Sequence, residues 1–347
     1  MGELLTPRES LGGSTGGPAT PAPVPPVPPV RKPPAAPGAR AAPGPRRWAS
    51  AQSRETRAAW MFIAPWVIGF LVFTAGPMLA SLALSFTDYS LVGQTRGVGA
   101  DNYRQLMQDP RVAQSLLNTF VYAALFVPIG TCVALGLAML LARVGRASGF
   151  FRTAFYLPEM TPAVAAAALF LLLLNGQTGL VNEVLGWVGI DGPNWTTDPN
   201  WLKPSLAIVS LWSMGGTIVI YLAALKNVPR QLYEAAQLDG AGPVRRFFHV
   251  TLPMISGAVF FTVITNTIAA LQMFDQAYTM FYGPQQKATA SDESLVFMVY
   301  LFQNAFQYFK MGYASAMAWL LFVIILLITL VQLRVGNRFV HYEGDQR

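Results

Sequence analysis

Charge is scarce in this chain. Charged residues make up 12% of its 347 positions while hydrophobic ones make up 53%, whereas a soluble globular domain carries charge on nearer a quarter of its residues. With a mean hydropathy of +0.40, a soluble domain is excluded and a membrane protein is expected. There is one cysteine, Cys132, so no disulfide can form within the chain, and the two histidines, His249 and His341, stand far apart. A Cys/His metal cluster is thereby excluded, and a histidine-based triad has almost nothing to work with. No Gly-Lys-Ser or Gly-Lys-Thr string occurs, which removes a Walker-A phosphate loop and with it any NTPase role for the chain itself. The expectation is a non-enzyme with no catalytic residue, no metal and no cofactor of its own.

What is abundant is uncharged length. A charge at the bilayer centre costs about 2.5 kcal/mol or more, so the gaps between charged side chains mark where the chain can cross. Six long gaps run over 58–87, 112–142, 160–182, 204–225, 247–274 and 311–333. Each exceeds the roughly 20 residues that a helix rising about 1.5 Å per residue needs to cross a hydrocarbon layer of about 30 Å. Spans are therefore expected at about 60–86, 116–142, 160–180, 205–225, 253–274 and 313–333, within an all-α membrane domain covering 58–340. Eighteen of the 24 Lys and Arg fall before the first span, in the second-to-third and fourth-to-fifth connections and in the tail; six fall in the alternate connections. Positive loops stay cytoplasmic, so both termini, including 341–347, are expected inside a multi-pass protein of a cell membrane. The +7 charge is then a topology signal, with no call for a nucleic-acid partner.

Half of the 26 prolines lie in the first fifty residues. Residues 1–57 accordingly read as a disordered, basic, Pro-rich cytoplasmic tail, and the apolar segment that follows is too long for a signal peptide's hydrophobic region. A further uncharged run, Ser294 to Phe309, is too short to cross and reads as an amphipathic helix on the outer surface.

The connection between the fourth and fifth spans is the most informative. Pro229 suits the first position of a helix and Gly240 its left-handed end, with Pro243 starting a second short helix and Pro253 ending it. The expected product, over 229–253, is a helix-turn-helix elbow. Leu232, Ala235, Ala236 and Asp239 recur at helical spacing, and the alanines offer a face with little bulk. By residue chemistry alone the elbow could equally pack its leucines on lipid headgroups.

The string from Glu234 to Pro253, EAAQLDGAGPVRRFFHVTLP, resembles the EAA loop of ABC-importer permeases, with Val250 where an isoleucine is usual and Ser256 where a proline is frequent. Further strings follow in the order of the carbohydrate-uptake branch of that family. They include Gly76-Pro77, Ser85-Phe86-Thr87-Asp88-Tyr89, Asn102-Tyr103, Asn118-Thr119, Tyr156-Leu157-Pro158 and Gly312-Tyr313-Ala314; the ending of the first span is similar to the first permease subunit of maltose and glycerol-phosphate systems. The resemblance covers about 280 residues. It implies the type I importer fold and half of a sugar-translocation path beside a second permease subunit. The implied partners are ATPase subunits that bind ATP and magnesium, an extracytoplasmic substrate-binding protein and the lipid bilayer of a prokaryotic cell membrane. It also implies that Glu234, Ala235, Ala236, Leu238, Asp239 and Gly240 form the docking surface for the ATPase.

For the substrate path, polar groups within spans mark a cavity or a helix contact. Trp212 and Gly216 on the fourth span, and Asn266, Ala270, Gln272 and Met273 on the fifth, supply the mix of amides, rings and small residues that suits a sugar. The competing reading is that Asn266 and Gln272 only hydrogen-bond across a helix interface. Glu159, between Pro158 and Pro162, reads as an interfacial acid rather than a proton relay. An ion-coupled secondary carrier would also have six spans, but internal repeats and membrane-embedded carboxylates, its usual marks, are not evident.

Overall fold

The structure, a computed structural model, describes residues 45–90, 95–145, 148–283 and 291–336. It divides into two units, Met1–Trp66 and Val67–Arg347. The first unit's described part belongs to α1 (Pro45–Phe70). Helix therefore begins inside the stretch expected to be a disordered tail: Pro45 can open a helix, and no further proline follows until Pro65. Residues 1–44 and 341–347, the rest of the two expected tails, lie outside the described residues.

In the second unit a π-helical turn at Leu71–Ala75 leads to α2 (Gly76–Leu84). Ala58–Leu84 thus forms one 27-residue apolar helix long enough to cross a membrane. The wide turn accommodates Pro77, which has no N–H to give. After α3 (Asp101–Gln108) comes α4 (Pro110–Arg143), 34 residues long and central to the packing. It runs against the two helices of the fourth span and that of the fifth.

Then the spans break. α5 (Ser148–Tyr156) passes through a 3-10 turn at Leu157–Met160 into α6 (Ala163–Leu173), with a bend of 98° between them. Pro162 sits at the bend with extended backbone, as the conformational lock of proline requires. The third span expected over 160–180 is thus a bent pair, and its second helix ends by Leu174. There Asn175 takes over, its Oδ1 accepting the amides of Gln177 and Thr178 at 2.9 and 3.0 Å. Beyond α7 (Leu180–Trp187), the fourth span is α8 (Leu202–Trp212) and α9 (Gly215–Asn227), bent by 55°. The elbow follows as α10 (Arg230–Leu238), α11 (Pro243–Arg246), a π-helical turn at Phe247–Thr251 and α12 (Leu252–Met254).

α13 (Ser256–Leu271) starts after a 70° bend. The break falls at Ile255, two residues beyond Pro253, because the π turn before the proline absorbs its missing donor. Pro229 is likewise one position earlier than expected, capping α10 rather than opening it. α14 (Asp275–Ala277), α15 (Phe297–Phe302) and the 26-residue α16 (Met311–Gly336) complete the unit.

The Ser294–Phe309 segment is not a surface helix along its length: 294–305 is buried or half-buried, and 306–309 is exposed. Leu295, Val296, Phe297, Val299 and Tyr300 belong to the core, and Gln303 and Asn304 are buried in a π turn. Two polar residues of α4 hold it there. Asn118 Nδ2 donates to the carbonyls of Asp292 and Leu295 at 2.7 and 2.9 Å, and Thr119 Oγ1 accepts the Phe297 amide at 2.9 Å. Asp109, the N-cap of α4, extends the same anchorage, accepting the hydroxyls of Tyr300 at 2.6 Å and Tyr313 at 2.8 Å. Burial pushes its carboxyl pKa up, but the two phenols and the amides of Arg111 and Val112 outweigh this and leave it below the usual 3.8.

Asp109→Asn should therefore lower stability by about 2 kcal/mol, since charge-assisted bonds are worth about 1.5–3 kcal/mol each. The wild-type contribution is complete above the usual carboxyl value and is lost as pH falls through the lowered one. Thermal melts of the purified protein should accordingly show a mutant deficit that is constant from pH 5 to pH 8.

Candidate functional site

The elbow is built to protrude. α10 turns Tyr233 inward, its hydroxyl 3.0 Å from Thr251 Oγ1, and leaves Glu234, Ala235 and Leu238 exposed, Leu238 at 89%. The helix ends in a Schellman motif. The Gly240 amide donates to Gln237 O at 3.0 Å and the Ala241 amide to Ala236 O at 2.9 Å. Gly240 has φ +72, and a Cβ there would touch nothing within 4 Å. The need for glycine is thus purely conformational. Ala236 and Asp239 border a cleft of about 200 Å³ shared with Arg245, Arg246 and His249. Neither Glu234 nor Asp239 forms an ion pair with another described residue. The six residues picked out for docking therefore lie together on α10 and the turn after it, with Glu234 and Asp239 as the acids and Arg245 and Arg246 beside Asp239.

A second site lies where the spans break. A cavity of about 220 Å³ is lined by Tyr122 and Phe126 of α4, by Glu159, by Ser210, Ser213, Met214 and Thr217 around the α8–α9 break, and by Asn266, Ala269, Ala270, Met273 and Gln276 at the end of α13 and beyond. Close packing fixes the walls. Met214 lies over Gly130, where a Cβ would come within 2.8 Å of its Cε, and Tyr221 of α9 hydrogen-bonds Thr262 of α13. Tyr122 Oη is 2.8 Å from Ser210 Oγ, which donates to Leu206 O at 2.9 Å. Asn266 Nδ2 is buried with no partner among the described residues. Glu159 reaches across to the start of α9, where a carboxylate oxygen accepts the Gly216 amide.

Asn266, Ala270 and Met273 line this cavity together, and Gly216 meets it through Glu159. Two expected residues do not line it. Trp212 packs edge-on against Phe170, with centroids 5.6 Å apart. Gln272 is exposed just beyond the end of α13 at Leu271, six residues from Asn266 and so on a different helical face. Tyr122, Ser210, Thr217 and Gln276 were missed. For Tyr122 the signal was present, as a lone phenol in a long apolar helix is itself a marker of a cavity or polar contact.

Residues 130–341 match the family described as the binding-protein-dependent transport system inner membrane component, and the chain belongs to that family. Among relatives, the "Probable ABC transporter permease protein YesP" of Bacillus subtilis (strain 168) is 40% identical over 295 residues, covering 84% of this chain and 94% of that protein. The "Lactose transport system permease protein LacF" of Rhizobium radiobacter is 34% identical over 279 residues, covering 79% and 92%. Among solved structures, a chain of a bacterial alginate ABC transporter, in complex with an alginate pentasaccharide-bound periplasmic protein, aligns with a TM-score of 0.72 and 25% identity over 83% of this chain and 96% of that one. The fold is that of an ABC-importer permease, with three continuous helices and three bent pairs supplying up to six spans. The function is that of a permease subunit of an ATP-driven, binding-protein-dependent importer.

Two adjacent glycines at the α9 start give a sharp check on this geometry. A Cβ on Gly215 would lie 2.5 Å from Phe155 O and 2.7 Å from Tyr156 Cα, both backbone, whereas one on Gly216 would meet only the movable Glu159 carboxylate, at 2.8 Å. Gly215→Ala should therefore destabilise by about 2–3 kcal/mol and Gly216→Ala by about 1 kcal/mol or less. Parallel thermal melts that ranked the two equally would contradict the packing.

Proposed function

We propose that this chain forms half of a sugar-conducting path in a prokaryotic cell membrane, beside a second, different permease subunit. In this reading the permease domain spans 58–340 with both termini in the cytoplasm, and the 229–253 elbow is seated in a pair of ATPase subunits that bind ATP and magnesium. The loops of the opposite side receive an extracytoplasmic binding protein. The arginine asymmetry supports the orientation, since the elbow lies on the side richest in Lys and Arg. The names of relatives, with lactose and alginate among their cargoes, support a carbohydrate. The family favours this importer over the ion-coupled carrier.

The observation that carries the docking role is the elbow's tip. An 89% exposed leucine beside two carboxylates without a described ion-pair partner has no function within the chain, yet it suits a cleft with an apolar floor and cationic rim. Alanines at 235 and 236 let the partner's backbone approach closely.

Because Leu238 is so exposed, Leu238→Asp should leave membrane insertion and thermal stability unchanged while cutting ATP-driven uptake by the assembled importer at least about tenfold, the equivalent of about 1.4 kcal/mol of lost coupling. Gly240→Asp should act in the same direction by straining the left-handed turn. Full uptake in the Leu238 variant, at normal abundance, would remove the docking role.

A further inference from the structure

Among the described residues that line the cavity, Glu159 is the sole carboxylate and there is no Lys, Arg or His. Its position is specific. The exposed amides at the start of a helix make the place where an anion binds most readily, and α9, 13 residues long, opens onto this cavity. That place is already filled, since the Glu159 carboxylate accepts the Gly216 amide. The two glycines that begin α9 allow the approach; a Cβ on Gly216 would crowd Glu159 Oε1 at 2.8 Å. What remains on the wall is neutral and suited to hydroxyl groups. Ser213 and Thr217 both donate and accept, Gln276 offers an amide, and Asn266 lines the wall with an amide whose buried Nδ2 has no partner among the described residues. Phe126 and Met273 supply apolar surface for the carbon face of a ring.

From this we infer that Glu159 is a specificity-determining residue: it makes the cavity a site for a neutral, polyhydroxylated solute and turns away carboxylated, phosphorylated or sulfonated ones. The inference rests on the proposal that this cavity lies on the solute path. A second negative charge brought into it would meet a like charge at close range and find its natural amide partner taken. A neutral sugar, by contrast, offers its hydroxyls to the free lone pairs of the same carboxylate. At about 220 Å³ the cavity has room for a short stretch of sugar at a time. The selectivity expected here therefore differs from that of the fold relative solved with alginate, an acidic polysaccharide.

The test uses the complete importer, with its own second permease, ATPase and binding protein, in ATP-loaded proteoliposomes. The probes are lactose and arabinotriose as neutral sugars, and an alginate trisaccharide and glycerol 3-phosphate as anions. ATP-dependent uptake should favour a neutral probe over either anion by at least about tenfold. Since the binding protein also selects, the same probes are applied to the permease–ATPase complex in nanodiscs without it, in an Asn266→Cys variant on a Cys132→Ser background, reading protection of the new thiol from a maleimide. Neutral sugars should protect and anions should not, and adding Glu159→Gln should let anions protect. Uptake or protection by an anionic probe equal to that by the neutral ones in the protein with Glu159 intact would overturn the inference while leaving the cavity on the path, and needs no folded Glu159 variant. Absence of protection by every probe in a transport-active complex would instead remove the cavity from the path, and the inference with it.

Discussion

In hydrocarbon, a backbone that leaves its helix must find hydrogen-bond partners within the protein, and this constraint organises the membrane unit. The break between α8 and α9 shows how it is met. The Ser213 amide turns back to Ser210 O at 3.2 Å, the Ile218 amide bonds Met214 O, and the exposed start of α9 is capped by a carboxylate from a different span. Such breaks are tolerated where they face a cavity rather than lipid, and here they face the space between α4, α9 and α13. Removing the Glu159 cap would leave the Gly216 amide without the carboxylate that accepts it.

The same breaks connect the cavity to the elbow. α9 runs directly into α10 through Asn227, Val228 and Pro229, and α11 and α12 run directly into α13. The two helices that flank the cavity are therefore the two that bracket the elbow, joined to each other by the Tyr221–Thr262 hydrogen bond. In the proposed coupling, a displacement of the elbow would act on both walls together, so a push received at Leu238 and Glu234 would reach the space beside Thr217 and Asn266 through the helix backbones. On the opposite side, Asn118, Thr119 and Asp109 tie the 291–313 region to the start of α4, giving that end a fixed frame against which the walls can move.

Much of this was legible in the sequence because the bilayer penalises charge so heavily. The six apolar runs and the elbow with its Gly240 turn follow from charge spacing and from the conformational limits of proline and glycine. The breaks were harder. Pro162 marked one and Pro253 another to within two residues, but Ser213-Met214 carries no proline, and the apolar composition on either side of it is continuous, so that uncharged run reads as one helix. The Ser294–Phe309 segment was misread because its glutamines and asparagine suggested an aqueous surface; Gln303 and Asn304 are instead buried, Asn304 donating to the Tyr300 carbonyl at 2.9 Å, and 306–309 alone is exposed. The role of Glu159 was out of reach, since its partner lies 57 residues away and only the fold brings them together.

The central claim is that the elbow is the point at which an ATPase moves this permease. A photo-reactive amino acid placed at Leu238 in the intact membrane, with a second at Met107, an exposed residue of α3 on the opposite side by charge asymmetry, tests it directly. The account requires that illumination join position 238 to a nucleotide-binding subunit, and that position 107 give no such product. Capture of only lipid or an extracytoplasmic protein at 238 would contradict it.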